Sequence, residues 1–367
     1  MLFEFAPKLA NLVTSYSVPI EKGDFVVIQS TTEAIPYMEA LAVAVLERGG
    51  VPHVHINLPL WGEYFLTHAT DEQIAFVNPI SQAMLEKADV LLTIDAPAHT
   101  SAMISLSPET MQKSSVANHA IQQIFMQRLG ADLRWCLSAW PTIARAQQAN
   151  MSFYAYQRFI YEAYALHLDD PAAYWHDMAS RQERYIDWLM QRETIEVRGQ
   201  GVNLTLSYKG RNWYAAPGHA NFPDGEILTC PLEDSLNGTI EFSYPAFHAG
   251  TKVEGVRLVF KDGRIVEASA RENEDYLLKQ IDIDENARRI GEFAIGTNDF
   301  IQTVTGSTLL DEKIGGTMHM ALGASAAPHE GKNPSKIHWD IVHDLRNGGE
   351  MYADGELFYK EGNFLIE

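Results

Sequence analysis

The sequence predicts an α/β protein: an N-terminal part built on a doubly wound, mainly parallel sheet, followed by a C-terminal, mostly antiparallel α+β part. Three observations carry this. Up to about residue 190, short apolar runs alternate with stretches of helical periodicity; from Glu193 the pattern changes to short strands and tight Gly turns; and the metal-capable side chains crowd into residues 311–340. At 367 residues the chain exceeds what one core usually fills, so two domains are expected, an α/β scaffold at 1–192 and a metal-binding catalytic domain at 193–367.

Taken in order, DFVVIQS after Lys22-Gly23 reads as a buried strand. Residues 33–48 then carry Ile35, Met38, Leu41, Val45 and Leu46 at helical spacing before a Gly49-Gly50 stop, and a second strand begins at Val51. A helix over 71–87 leads into VLLTID at 90–95, and a helix from Ser107 to Gly130 leads into LRWCLSAW at 133–140. The first strand ends in Ser30-Thr31-Thr32-Glu33, with neither G-x-G-x-x-G nor a Walker loop, so this sheet is expected to be a scaffold rather than a nucleotide site. Residues 152–192 are helical and aromatic-rich, from Phe153, Tyr156 and Phe159 to Trp175, Tyr185 and Trp188, and are expected to form one strut between the domains. Beyond Glu193, TIEVRG, VNLTLSY and TIEFSY read as strands, with turns expected at Asn237-Gly238, Asp262-Gly263, Asp354-Gly355 and Glu361-Gly362. One helix, about 274–289, interrupts them.

A formal charge of −20 opposes binding to a phosphate backbone or an anionic membrane, and no 18-residue uncharged apolar run occurs. Nucleic acid and membrane are therefore not expected as partners. Two distant cysteines, Cys136 and Cys230, fit neither a disulfide framework nor a CxxC metal site, and a reduced, cytoplasmic setting is expected.

The chemistry concentrates in the C-terminal half. Residues 311–340 hold His319, His329 and His338 with Asp311, Glu312, Glu330 and Asp340. In His338-Trp339-Asp340 an extended backbone points the imidazole and the carboxylate to one face. Glu226 stands where the turn NFPDG runs into an apolar strand, and Glu292 inside the apolar run IGEFAIG, so both acids need a partner. Two acids, two histidines and the H-x-D aspartate within one domain are about what a dinuclear site uses.

NFPDGEI, GEFAIGTN, DEKIGGTMHMALG and NPSKIHWD, in this order, resemble the signature segments of the thermophilic-metalloprotease family of aminopeptidases. The resemblance implies a homodimer that releases N-terminal residues from small peptides, with Glu226, Glu292, His319, His338 and Asp340 holding two divalent ions, zinc or cobalt, in each subunit. A bridging carboxylate, Glu226 or Glu292, is expected. The proton-carrying base is left between Glu312 and Glu292, Asp311 and Lys313 are expected to pair beside the site, and Asn333 and Ser335 to orient the histidines. One departure stands out: family members carry a tyrosine shortly after ALG, whereas Ala324-Ser325-Ala326-Ala327-Pro328-His329 has none, which leaves the role to His329, to a tyrosine elsewhere, or to no residue at all. The alternative chemistry is a mononuclear non-haem iron ring-opening dioxygenase of the same fold, using His319, His338 and Asp340 as its triad.

Overall fold

The computed structural model describes residues 2–129, 131–325 and 330–366. Residues Met1–Ala172 with Gly218–Pro223 form one compact unit, and Ala173–Pro217 with Asp224–Glu367 a second. The helix Pro171–Leu189, counted above with the first domain, thus lies almost entirely in the second unit.

In the first unit, strands Val51–Asn57, Phe25–Thr31, Val90–Asp95, Arg134–Ala139 and Asn221–Phe222 form a five-stranded, wholly parallel sheet in that order. Helices such as Ile35–Glu47 and Pro108–Arg128 make the connections, as βαβ alternation requires. The fifth strand was not foreseen, because it comes from residues 218–223, far along the chain. It is tied down by the Tyr164 hydroxyl, which donates to the Phe222 carbonyl (2.8 Å) and accepts from the Ala139 amide (2.8 Å). The helix expected over 71–87 is two, Asp71–Ile74 and Pro79–Lys87, because the Asn78 side chain caps a new start whose first residue is proline. A further helix, Trp61–His68, was also unforeseen. The aromatic stretch is likewise two helices, Phe153–Ala163 and Pro171–Leu189, the second opening on Pro171. No helix among the described residues is long and apolar enough to cross a membrane.

The second unit holds an eight-stranded antiparallel sheet and a five-stranded antiparallel sheet. Their apolar faces meet in one core containing Val197, Leu204, Leu258, Phe293, Met320 and Ile341. The Asp-Gly and Glu-Gly turns form as expected, with Asp262, Asp354 and Glu361 and the glycines after them all at positive φ. Asn237-Gly238 does not turn: it lies within strand Asn237–Glu241, where a Cβ on Gly238 would fall 2.1 Å from the Asn203 carbonyl oxygen. The interrupting helix ends at Ile281, because Asp284 accepts the amides of Asn286 and Ala287 and turns the chain.

Candidate metal centre

The five-stranded sheet orders His338–Asp344, Thr317–Gly323, Ile290–Gly296, Glu226–Thr229 and Trp213–Ala216. Strand alternation sorts its residues. In TMHMALG, Met318, Met320 and Leu322 enter the core, so His319, Ala321 and Gly323 point to the other face. Register then fixes their company: Glu292 and Asp340 both oppose Ala321, His338 opposes Gly323, and Glu226 opposes Gly296. All five expected metal ligands therefore share one face. Between them stand Ala294 and Ala321, whose side chains are a single methyl, and Gly296 and Gly323, where neighbouring backbone passes too close for any Cβ.

His319 Nε2 lies 3.2 Å from Glu226 Oε2 and 3.4 Å from Glu292 Oε1, and His338 Nε2 lies 3.5 Å from Asp340 Oδ2. His338 Nδ1 is 2.8 Å from the Ala324 carbonyl. Since a carbonyl only accepts, Nδ1 carries a proton, and Nε2 is the ring nitrogen that faces Asp340. Ligand atoms gather in two sets, Glu226–Glu292–His319 and Glu312–His319–Asp340, each within 4.8 Å.

The structure adds Asp224, which the sequence reading did not place here, and gives Lys313 other partners than the one expected. Lys313 is 1% exposed and pairs with Glu226 Oε1, with Glu312 Oε1 (2.8 Å) and with Asp224 Oδ1 (3.3 Å). It reaches them because Gly296 lets the chain at Lys313–Ile314 cross the sheet; a Cβ there would sit 2.1 Å from the Ile314 carbonyl oxygen. Asp224 read as a turn residue in Pro-Asp-Gly, and Lys313 as one half of a local pair with Asp311. That pair does not form, since Asp311 instead accepts from Thr305 N, Thr305 Oγ1 and Gly306 N, each at 2.7 Å. The available signal was the apolar, glycine-rich run IGGT after Lys313, which argues against a surface lysine.

Asn333 and Ser335 do not touch the histidines. Asn333 donates to the Asn286 carbonyl and Ser335 to Asp284, which also accepts the Lys336 amide (2.7 Å), so together they pin the segment that leads into His338. Glu330 lies apart and accepts from Asn212. His329 falls outside the described residues.

The electrostatics are those of a cation site without its cation. Burial pushes the carboxyl of Glu226 up to about 8 against the pull of Lys313, and that of Asp340 up to about 6 against His338. For His319 burial is the largest single effect and acts downward, yet Glu226, Glu292, Asp340 and Glu312 together outweigh it and hold the imidazole at about 9. Burial likewise opposes the charge on Glu292, but His319 and its neighbours bring that carboxyl below its ordinary value. Glu226 Oε2, His319 Nδ1 and Asp340 Oδ1 are buried without a hydrogen-bond partner, which native interiors rarely tolerate. Imidazole and carboxylate donors with orphaned buried atoms fit a borderline divalent ion, whose charge would reverse the upward shifts of Glu226, Asp340 and His319.

The family profile of thermophilic metalloproteases (M29) matches residues 4–364. The chain belongs to this family. Among M29 relatives, aminopeptidase 2 of Geobacillus stearothermophilus is 26% identical, over 98% of this chain and 97% of that one. Aminopeptidase T of Thermus thermophilus is 24% identical over 95% of each. The solved structure of wild-type AmpT from Thermus thermophilus superposes with a TM-score of 0.87 at 22% identity, covering 100% of both chains. A 2,5-dihydroxypyridine dioxygenase from Pseudomonas putida KT2440 shares the fold more distantly, with a TM-score of 0.60 at 13% identity over 99% of this chain and 97% of that one.

Proposed function

We propose that this M29 chain is an aminopeptidase that holds two divalent ions, zinc or cobalt, in its second compact unit and releases N-terminal residues from peptides. The observation that carries the reading is that Glu226, Glu292, His319, His338 and Asp340 share one sheet face, with ligand atoms of Glu226, Glu292 and His319 within 4.8 Å of one another and His338 Nε2 3.5 Å from Asp340 Oδ2. Charge supports two ions rather than one. Asp224, Glu226, Glu292, Glu312 and Asp340 are five carboxylates, offset by the single ammonium of Lys313. The net of four negative charges is what two divalent cations neutralise.

Glu226, Glu292 and His319 would hold one ion, and His338 and Asp340 the other. Ions so held supply a water of lowered pKa and polarise the scissile carbonyl. The residues do the rest. Lys313 occupies Glu226 Oε1, which leaves Glu226 one oxygen to offer, whereas Glu292 would offer both of its own to the ions. Glu312 is the most solvent-accessible carboxylate of the cluster, its side chain 12% exposed, and is kept in place by Lys313; it carries the proton to the leaving amine.

The reading extends to assembly and setting. Edge strand Val51–Asn57 and the residues after it expose Val51, Val54, Ile56, Leu58, Leu60, Trp61 and Tyr64, an apolar run suited to a second copy of the chain in a homodimer. The two free, buried cysteines suit the cytoplasm.

Metal content, turnover of aminoacyl 4-nitroanilides with added cobalt or zinc, and oxygen uptake test the function together. Two ions per chain and oxygen-independent release are expected, and the Glu226→Ala and His338→Ala variants should lose metal and turnover while keeping their circular dichroism. One iron per chain with oxygen-dependent turnover would instead favour the dioxygenase.

A further inference from the structure

Beside the ligand cluster, and sharing Glu312 and Asp340 with it, lies a small cavity of about 20 Å³. Its other lining residues include Phe247, Val342, Thr308 and Asp311. The sheet places it. Val342 follows Asp340 by two residues on the same face and opposes His319 in register, so it continues the ligand row outward. Phe247 comes from strand Ala246–His248, which pairs with Thr251–Val253 in a separate two-stranded ribbon.

From this arrangement we infer that the cavity receives the side chain of the substrate's N-terminal residue and admits only small ones, those of glycine, alanine and serine. The inference rests on the aminopeptidase reading. In an N-terminal residue the amine and the side chain leave the same carbon, so an amine seated at the ligand cluster beside Asp340 would bring the side chain to the wall next to it. Here that wall is hydrocarbon from Phe247 and Val342, with one hydroxyl from Thr308. A volume of about 20 Å³ is little more than one water needs, which is room for a methyl or hydroxymethyl group and not for a leucine or phenylalanine side chain.

Nor does the acidic lining invite a basic side chain, despite the chain's overall charge. Both oxygens of Asp311 are engaged by Thr305 and Gly306, and Glu312 Oε1 is paired with Lys313. A lysine or arginine would have to break those bonds and push Phe247 aside. Phe247 is therefore the specificity-determining residue, half-buried on a short ribbon and standing where a longer side chain would run.

The test uses the full-length, cobalt- or zinc-loaded protein and the 4-nitroanilides of glycine, alanine, leucine, phenylalanine and lysine. The alanyl substrate should exceed the leucyl, phenylalanyl and lysyl ones in kcat/KM by about tenfold or more, the discrimination a tight apolar pocket gives per misfitting group. In Phe247→Ala the leucyl-to-alanyl ratio should rise by about tenfold. Leucyl or lysyl turnover equal to or above alanyl turnover in the wild type overturns the inference by itself, whatever the variant does. An unchanged ratio in an active Phe247→Ala also overturns it, whereas metal-loaded protein that cleaves none of the panel refutes the aminopeptidase reading and this inference with it.

Discussion

Replacing Lys313 with methionine keeps most of the aliphatic stem and removes the ammonium buried among Asp224, Glu226 and Glu312. The lysine side chain is 1% exposed and those of its partners 3%, 6% and 12%, so water cannot take over the lost contacts. Removing one member of a buried ionic cluster typically costs about 3–5 kcal/mol, because the remaining charges stay behind unpaired. In a unit of this size each kcal/mol moves Tm by about 2–4 °C, so the metal-free transition of the second unit should fall by roughly 6–20 °C. The sign of the pH dependence follows from the carboxyls. Burial already raises Glu226 to about 8 and Asp224 to about 6, and deleting the ammonium raises both further. A carboxyl whose folded pKa lies above its unfolded one does not destabilise at acid pH, and it destabilises increasingly as pH climbs toward the folded value. The gap between wild type and variant should thus be widest near about pH 9 and narrow toward about pH 5.5. Added zinc or cobalt should recover more Tm in the variant than in the wild type, since the cation replaces the missing positive charge. Calorimetry of chelator-treated protein measures both effects. A loss under about 3 °C near pH 9, or a gap that does not change with pH, would refute the role given to Lys313.

Three further outcomes are expected. Burial holds His343 down at about 4, so it folds neutral; its contribution is present above the unfolded value of about 6.5 and lost as pH falls toward 4, up to about 3 kcal/mol. His343→Gln should flatten that acid limb in a Tm-against-pH series. Asp284→Ala frees Ser335 and the Lys336 amide, loosening the approach to His338, and should weaken zinc affinity by about 10–100-fold in a chelator competition while the fold persists. Gly296→Ala drives a methyl into the Ile314 carbonyl and shifts the chain that carries Lys313, so both Tm and bound metal should drop, as calorimetry and metal analysis would show.

What the sequence disclosed follows from what each signal reports. That His338 and Asp340 share a face was legible because strand alternation is a property of consecutive residues, and HWD declares its two faces without any partner, whereas the gathering of Glu226, Glu292 and His319 beside them depends on strand register. The places of Asp224 and Lys313 were not legible, because their burial depends on a strand-crossing that Gly296 permits from another part of the chain. Asp311 illustrates the same limit. Adjacency to Lys313 suggested an ion pair, but the geometry of the short helix Thr308–Asp311 turns its carboxylate back to Thr305 and Gly306. The Asp-Gly turns were readable from local backbone preference, whereas Asn237-Gly238 has the same chemistry and was claimed by cross-strand pairing instead. The fifth strand of the parallel sheet left no trace, since two residues are too few to carry a period.

That strand also limits how the protein can be rearranged by recombination. A gene fragment ending at Ala172 would encode a sheet whose Arg134–Ala139 edge has lost its neighbour, along with the Ala220 carbonyl that receives the Leu137 amide. Exchanging the first unit between relatives therefore requires three junctions, after Ala172, after Pro217 and after Pro223, and the last falls immediately before Asp224 and three residues before Glu226. Although the first unit contributes no residue to either ligand set, heredity ties it to the metal centre: a crossover that preserves one must land within a few codons of the other.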